Sequence, residues 1–78
     1  MPITIKYFGA IEEVTGVGEE LVSSSDFETL DELKSHLLSK YQGIGQLSFQ
    51  LALNQLLTES ASLKDGDEVA LLPPFAGG

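Results

Sequence analysis

The chain has 78 residues, no cysteine, and 12 acidic side chains against four lysines, which give a net charge of −8. A chain of this length forms one small domain and has no room for a substrate pocket beside a cofactor domain, so we expect a protein that is not an enzyme by itself. The lack of cysteine excludes a disulfide framework, a thiolate zinc site and a cysteine nucleophile. An acidic surface repels phosphate, which disfavours nucleic acid and anionic membranes and favours a protein partner with a basic surface.

The sequence also bears on the compartment. It contains no run of the roughly 20 apolar residues that span a bilayer, and its opening residues lack the basic and apolar regions of a signal peptide. We therefore expect the protein to be cytoplasmic, with a stability that comes from packing alone.

The first third of the chain predicts a strand, a short helix and a second strand. Apolar and polar residues alternate over residues 2–8, which predicts a strand with Phe8 on the face opposite Ile3. Residues 9–16 begin and end with glycine and carry two apolar residues three positions apart, as in one or two helical turns. Residues 20–23 then suit a hairpin partner for the first strand.

One long helix is predicted after Thr29. Thr29 and Glu32 form a capping box, in which each side chain accepts a hydrogen bond from an otherwise unpaired amide. Gly43 is expected to end the helix, with Lys40 near the negative end of the helix dipole. The apolar side chains recur at helical spacing and form one stripe: Leu30, Leu33, Leu37, Leu38 and Tyr41.

The second half of the chain predicts three strands. Alternation over residues 49–54 indicates a strand, Asn54-Gln55 a tight turn, and Leu56-Leu57 a short return strand. The glycine of residues 65–67 supplies positive φ for a second turn. The apolar run at residues 68–72 is typical of a central strand, and the prolines that follow end it.

Together these elements predict an α+β fold. A single helix covers only one face of a sheet, so it is expected to lie across one face of a mixed four- to five-stranded sheet. A first hairpin, a crossover helix and a central last strand are typical of the β-grasp arrangement. We expect one domain over residues 1–78, with a globular core at 1–72 and an extended functional tail at 73–78.

Few ionisable residues suggest a site. His36 lies on the polar side of the helix without a second histidine or cysteine nearby, which indicates a solvated residue rather than a metal ligand. The acidic run at residues 65–68 lacks the remaining ligands of a calcium loop, and turn chemistry explains it. The carboxylate pairs at residues 12–13 and 19–20 are interpreted as solvated surface. No metal site is predicted.

Two glycine-containing segments also have a simple interpretation. Residues 16–18 and 43–45 lack the further glycine, lysine and hydroxyl residue of phosphate-binding loops. Both are therefore predicted to be turns.

The residues from Pro73 to Gly78 carry the functional prediction. The two prolines project the chain outward, and six residues reach roughly 20 Å at about 3.3 Å each. Phe75 and Ala76 are expected to dock in a partner, and Gly77 lets the terminus enter a narrow active site. The Gly78 carboxylate is a poor electrophile. Adenylylation by ATP would convert it to a mixed anhydride. A sulfur nucleophile would convert this anhydride to a thiocarboxylate, and a thiol would convert it to a thioester.

These residues resemble the MoaD family, the small subunits of molybdopterin synthase. The resemblance rests on residues 65–78, which end in Pro-Pro-Phe-Ala-Gly-Gly, on residues 7–10 with Glu13 and Gly16, and on residues 52–55 with the sequence Ala-Leu-Asn-Gln. It therefore extends over nearly the whole chain. Relatives often carry valine in place of the phenylalanine, so the anchor differs in size while it stays apolar.

The resemblance implies a ubiquitin-like sulfur carrier. Gly78 would be adenylylated by an E1-like enzyme of the MoeB type using ATP, and a sulfur donor system would convert it to a thiocarboxylate. The carrier would then deliver sulfur to cyclic pyranopterin monophosphate inside a MoaE-type large subunit, in a heterotetramer. The chain itself would bind no cofactor. The residues expected to contact these partners are Phe8, Pro73, Pro74, Phe75, Ala76 and Gly77.

Three alternatives remain at this stage. A ThiS-like sulfur carrier for thiamine synthesis shares the fold and the glycine end, although such tails usually lack the diproline. A ubiquitin-like modifier would instead join Gly78 to lysines of target proteins. In a plain binding module the tail would only dock.

Overall fold

The computed structural model describes residues 2–58 and 60–73, and within them five strands form one mixed sheet. The strands are β1 (Ile3–Tyr7), β2 (Glu19–Val22), β3 (Gln50–Leu53), β4 (Leu56–Leu57) and β5 (Glu68–Leu72), and the helices are α1 (Ala10–Thr15) and α2 (Leu30–Lys40). The sheet order is β2-β1-β5-β3-β4. β1 and β5 pair in parallel, and the other neighbours pair antiparallel. The predicted α+β fold with a central last strand is confirmed.

The limits of β1, β2 and β3 differ from the predicted ones by a single residue at each end, whereas β4 and β5 have the predicted limits. Residues 2–8, 20–23 and 49–54 were expected to be strands, and the structure has Ile3–Tyr7, Glu19–Val22 and Gln50–Leu53. Pairing sets these limits, because a strand ends where its ladder partner does. The β1–β2 ladder, for example, runs from Ile3 opposite Val22 to Lys6 opposite Glu19.

The start of α2 is capped by two side chains. The Glu32 amide donates to Thr29 Oγ1 at 3.2 Å, as the capping box predicts. The Glu32 carboxylate, however, accepts from the amide of Glu28 at 2.8 Å and not from that of Thr29. Both side chains therefore satisfy backbone donors at the helix start, one of them a residue further upstream than expected.

The end of α2 differs from the prediction. The helix ends at Lys40, and residues Gln42–Gln46 form a 3₁₀ helix around Ile44, which is fully buried. A Cβ atom at Gly43 would lie 3.0 Å from Val14 Cγ1. Gly43 therefore allows close packing against α1 and does not stop α2, and the turn predicted at residues 43–45 is part of this 3₁₀ helix.

The two turns of the second half are confirmed and are bonded to each other. Asn54 and Gln55 have φ of 51° and 73°, and Gly66 has φ of 82°. The Asp67 carboxylate, 8% exposed, accepts from the Lys64 amide at 2.8 Å and from Asn54 Nδ2 at 3.0 Å. The Asp67 carboxylate thus fixes the turn before β5 to the β3–β4 hairpin.

The hydrophobic core lies between α2 and one face of the sheet. α1 is too short to be stable alone and is anchored there by Ile11, which is 2% exposed. Neither helix in the described part of the chain is long and apolar enough to cross a membrane. The buried apolar side chains of this core are Ile3, Ile5, Tyr7, Ile11, Leu30, Leu33, Leu37, Ile44, Leu51, Leu63, Val69 and Leu71.

Candidate functional site

The predicted tail leaves the sheet beside the end of β1. β1 and β5 are parallel, so their carboxyl ends lie at the same edge, and the amide of Phe8 donates to the carbonyl of Leu71 at 3.2 Å. A Cβ atom at Gly9 would lie 3.3 Å from Pro73 Cγ, and Gly9 has φ of 60°. Phe8, Gly9 and Pro73 therefore meet where the tail begins.

The predicted partner-binding residues fall into two groups. Phe8 and Pro73 are exposed and line one common groove. Pro74, Phe75, Ala76, Gly77 and the predicted reacting residue Gly78 lie outside the described residues.

The groove has a volume of about 580 Å³ and lies on the sheet face opposite α2. Ala52 pairs with Ala70 across β3 and β5, and Leu57 of β4 pairs with Ala52. Small side chains in the middle of this row leave a depression between larger ones. We call it the open groove, and its apolar lining consists of Phe8, Ala52, Leu57, Ala70, Leu72 and Pro73.

Charged side chains border the open groove. Lys6 Nζ lies 3.6 Å from Glu68 Oε1, and both side chains are about a third exposed. An exposed pair of this kind contributes about 0 to 1 kcal/mol to stability. Glu19 stands opposite Lys6 in the ladder, so two carboxylates flank one lysine. This border suits a partner surface with excess positive charge.

One sequence feature, the apolar pattern of β5, indicates the open groove. β5 carries apolar residues on both of its faces: Val69 and Leu71 point into the core, and Ala70 and Leu72 alternate with them. A sheet face covered by water is normally polar. Because one long helix can cover only one face, the two-sided apolar pattern of β5 indicates an uncovered apolar face.

A second polar cluster lies between β2, β1 and α2, away from the open groove. Glu20 Oε1 accepts from Tyr7 Oη at 2.7 Å and from Tyr41 Oη at 3.0 Å, and Glu20 Oε2 forms an ion pair with Lys40. Glu20 is thus half-buried and fully bonded, and its interpretation as solvated surface was wrong. We call these four side chains the Glu20 cluster.

The ionisation of this cluster follows from its contacts. Burial alone would raise the pKa of the Glu20 carboxyl, but hydrogen bonds from Lys40, Tyr7 and Tyr41 outweigh it and hold the pKa below its usual value. Burial, with the bond to Glu20, raises the pKa of Tyr7 well above its ordinary range. The cluster is therefore built around one ionised carboxylate that accepts hydrogen bonds from two phenols, and its role is to join β2 to α2.

The remaining candidates show no reactive arrangement. His36 is exposed, and its ring centroid lies 5.0 Å from that of Phe27, in agreement with its predicted place on the polar side of α2. Within residues 2–58 and 60–73, no group of three or more histidine or carboxylate side chains could hold a metal ion.

Known proteins resemble this chain over nearly its whole length. The sequence model of the ThiS family matches residues 5–78. The chain is 32% identical over 83 residues to a molybdopterin synthase sulfur carrier subunit of Chlamydomonas reinhardtii, with both chains covered completely.

Two solved structures share the fold. One is a chain of the complex of subunits 1 and 2 of molybdopterin-converting factor from Helicobacter pylori, 30% identical with a TM-score of 0.73 over the full length of both chains. The other is the small archaeal modifier protein 1 of Methanosarcina acetivorans, with a TM-score of 0.80 over 99% of this chain and 96% of that one. The second is 22% identical and shows the fold alone, which is the ubiquitin-like β-grasp fold.

Proposed function

The chain belongs to the ThiS family, and we propose that it is the sulfur carrier subunit of a molybdopterin synthase. The observation that supports the proposal is the place where β5 ends: this strand, which precedes the Gly-Gly end in the sequence, ends beside Phe8, where an apolar groove opens on the sheet face opposite α2. The names of the full-length relatives support the molybdopterin branch of the family.

The proposed chemistry takes place at the carboxylate of Gly78. An E1-like enzyme of the MoeB type joins it to the AMP part of ATP and releases pyrophosphate. A sulfur donor then displaces AMP, and the carboxylate becomes a thiocarboxylate. In the large subunit the thiocarboxylate sulfur bonds to a carbon of cyclic pyranopterin monophosphate, and water then hydrolyses the resulting thioester, which leaves the sulfur on the pterin and regenerates the carboxylate. The carrier positions the reacting group, while its partners supply ATP and electrostatic stabilisation.

The open groove is the proposed docking surface for the large subunit, of the MoaE type. Phe8, Leu72 and Pro73 present apolar surface directly where the tail begins, so docking there would align the tail with a partner's active site. The net charge of −8 would speed encounter with a basic partner. The MoeB-type enzyme and the large subunit would use the same tail, so they would bind in turn. The reactions would take place in the cytoplasm, and the synthase would be a heterotetramer.

The experiment is intact mass spectrometry after incubation with a MoeB-type enzyme, ATP and a sulfur donor. We expect the chain to gain the mass difference between sulfur and oxygen. The gain should disappear when ATP is omitted, because the free carboxylate is not activated. Addition of a MoaE-type subunit and cyclic pyranopterin monophosphate should return the carrier to its original mass.

Deletion of Gly78 is the matched variant. The shortened chain should keep its circular dichroism spectrum and unfolding curve, because the core of the described residues is formed by side chains that precede Pro73, yet show no mass gain. An unchanged mass of the full chain, under conditions that convert the carrier of a relative, would contradict the proposal. Sulfur transfer to thiamine precursors, or adducts of Gly78 with lysines of other proteins, would favour the alternative functions.

A further inference from the structure

The outer edge of β4 is a second exposed apolar surface. Leu56 and Leu57, which make up this strand, are 74% and 64% exposed. Within the described residues β4 is the last strand of the sheet. Edge strands are usually protected by charge, proline or a covering element, because unpaired strand edges bind other chains. Two adjacent exposed leucines on such an edge point to a binding surface.

The backbone of this edge is available for pairing. The amide of Thr58 donates to the carbonyl of Leu51 at 3.0 Å, so Thr58 occupies a hydrogen-bonded position next to β3. In an antiparallel ladder the hydrogen-bonded positions alternate, and the N–H and C=O of the residue between them point away. Leu57, opposite Ala52, therefore directs its N–H and C=O outward.

A groove of about 490 Å³ runs along the same edge toward α2. We call it the edge groove; Lys34, Phe49, Gln50, Leu51, Leu57 and Thr58 line it. Gln50 and Leu57 also line the open groove, so the two surfaces are continuous around β4.

One positive charge stands above the edge groove. The Lys34 ammonium lies 5.7 Å from the centroid of the Phe49 ring, close enough for a cation–π contact. Within residues 2–58 and 60–73, Lys34 has no ion-pair partner, whereas Lys6 and Lys40 are both paired. A carboxylate would be repelled by most of this acidic chain and attracted here, which gives the edge groove a preference for one charge pattern.

We propose that the outer edge of β4 and the edge groove bind an extended segment of a partner protein. The segment pairs with the backbone of Leu57 as an additional strand, places an apolar side chain beside Phe49 and Leu51, and places a carboxylate beside Lys34. This mode of recognition takes affinity from main-chain hydrogen bonds and specificity from alternate side chains. The surface is distinct from the reacting tail, and the proposal does not depend on sulfur transfer.

The test begins with a displayed library of short random peptides, selected on the whole protein and counter-selected on its Lys34→Glu variant. We expect the enriched peptides to alternate apolar and polar residues and to share an aspartate or glutamate. With such a peptide, NMR should show shifted amide signals at Leu56, Leu57 and Thr58. The Leu57 amide should exchange with solvent more slowly.

Charge reversal provides the matched controls. Lys34→Glu should weaken binding of the acidic peptide by about tenfold, and replacement of the peptide's acid by lysine should restore it. Lys64→Glu makes the same change in net charge at an exposed residue outside the edge groove, and should leave the affinity within about twofold.

Three results would overturn the proposal. Failure to enrich any peptide is one, and signal changes confined to Phe8, Ala70 and Leu72 of the open groove are another. Equal losses in the Lys34 and Lys64 variants would indicate general charge attraction. Dimerisation of the free protein through β4, seen by sedimentation equilibrium, would identify a second copy as the occupant and would also refute it.

Discussion

Phe8 and Val17 have almost the same exposure, 42% and 43%, but they face different surroundings. Phe8 lines the open groove beside Pro73, and Val17 does not. An exposed aromatic side chain at the start of the tail contributes little to the core and much to a docked interface. We therefore expect docking of the large subunit to depend on Phe8 more than on any similarly exposed apolar residue away from the groove.

Phe8→Ala is expected to weaken binding of the MoaE-type subunit by about tenfold or more, as for an aromatic residue at the centre of an interface. Titration calorimetry with the purified large subunit measures this directly. The free energy of unfolding of the isolated carrier should fall by less than about 1 kcal/mol, because the ring is already partly exposed.

Val17→Ala is the control for Phe8→Ala. It removes apolar surface of nearly equal exposure outside the open groove, so its affinity for the large subunit should match that of the unmodified chain. Equal losses in the two variants would show that the open groove is not the docking surface.

The β3–β4 hairpin shows how a local signal specifies an element. Asn54 and Gln55 both have positive φ, the geometry of a two-residue hairpin turn whose preferred sequence is Asn-Gly. Asparagine tolerates this geometry, but glutamine has a Cβ that crowds its own backbone there. The chain therefore carries backbone strain at Gln55, and the sequence indicates it because glutamine stands where the turn prefers glycine.

Gln55→Gly is expected to stabilise the protein by about 1 kcal/mol, because glycine has no Cβ penalty at φ of 73°. The free energy of unfolding from urea titration measures the effect. Gln46→Gly provides the comparison, since Gln46 lies in the 3₁₀ helix without positive φ, and glycine there should destabilise by about 0.5 to 1 kcal/mol. Stabilisation by both changes, or by neither, would contradict the strain argument.

Local sequence patterns predicted one end of helix α2 and not the other. Thr29 predicted its first residue, because a cap acts on amides within one turn. Gly43 predicted the wrong end, since the chain leaves the helix at Lys40 to bury Ile44 against the core. Burial of a side chain beyond the helix determined that end, and no pattern within the helix contains this information.

The Glu20 cluster acts on the whole molecule, because it joins β1, β2 and α2 through one carboxylate. The pKa of the Glu20 carboxyl is lower in the folded protein than the ordinary value of 4.5. A carboxyl group of this kind stabilises the fold fully above the pKa that it has when unfolded, and the contribution is lost as the pH falls through its lower folded value. The protein should therefore lose part of its stability in acid below about pH 4.

Glu20→Gln is expected to lower the free energy of unfolding at neutral pH by about 1 to 2 kcal/mol, since charge-assisted bonds from two tyrosines become neutral ones. The Lys40 pair adds little, because that lysine is largely exposed. Urea titrations across the acid range should show the two proteins converging as the pH falls.

Glu13→Gln removes the same charge at an exposed residue of α1 and serves as the control. Its effect on the free energy of unfolding should be small at neutral pH and in acid alike. A difference between Glu20→Gln and the unmodified chain that stays constant with pH would show that the cluster is not held by an ionised carboxylate.

The sequence by itself determined the α+β class and most of the secondary structure, because strand alternation, capping and positive φ are properties of neighbouring residues. Tertiary structure decided the rest. Ala52 and Ala70 form the floor of the open groove only because β3 pairs with β5 in one register. Glu20 was predicted to be a solvated surface residue, but packing places the hydroxyl groups of two tyrosines against its carboxylate. These features join residues distant in the chain, so their energy depends on contacts that no local pattern encodes.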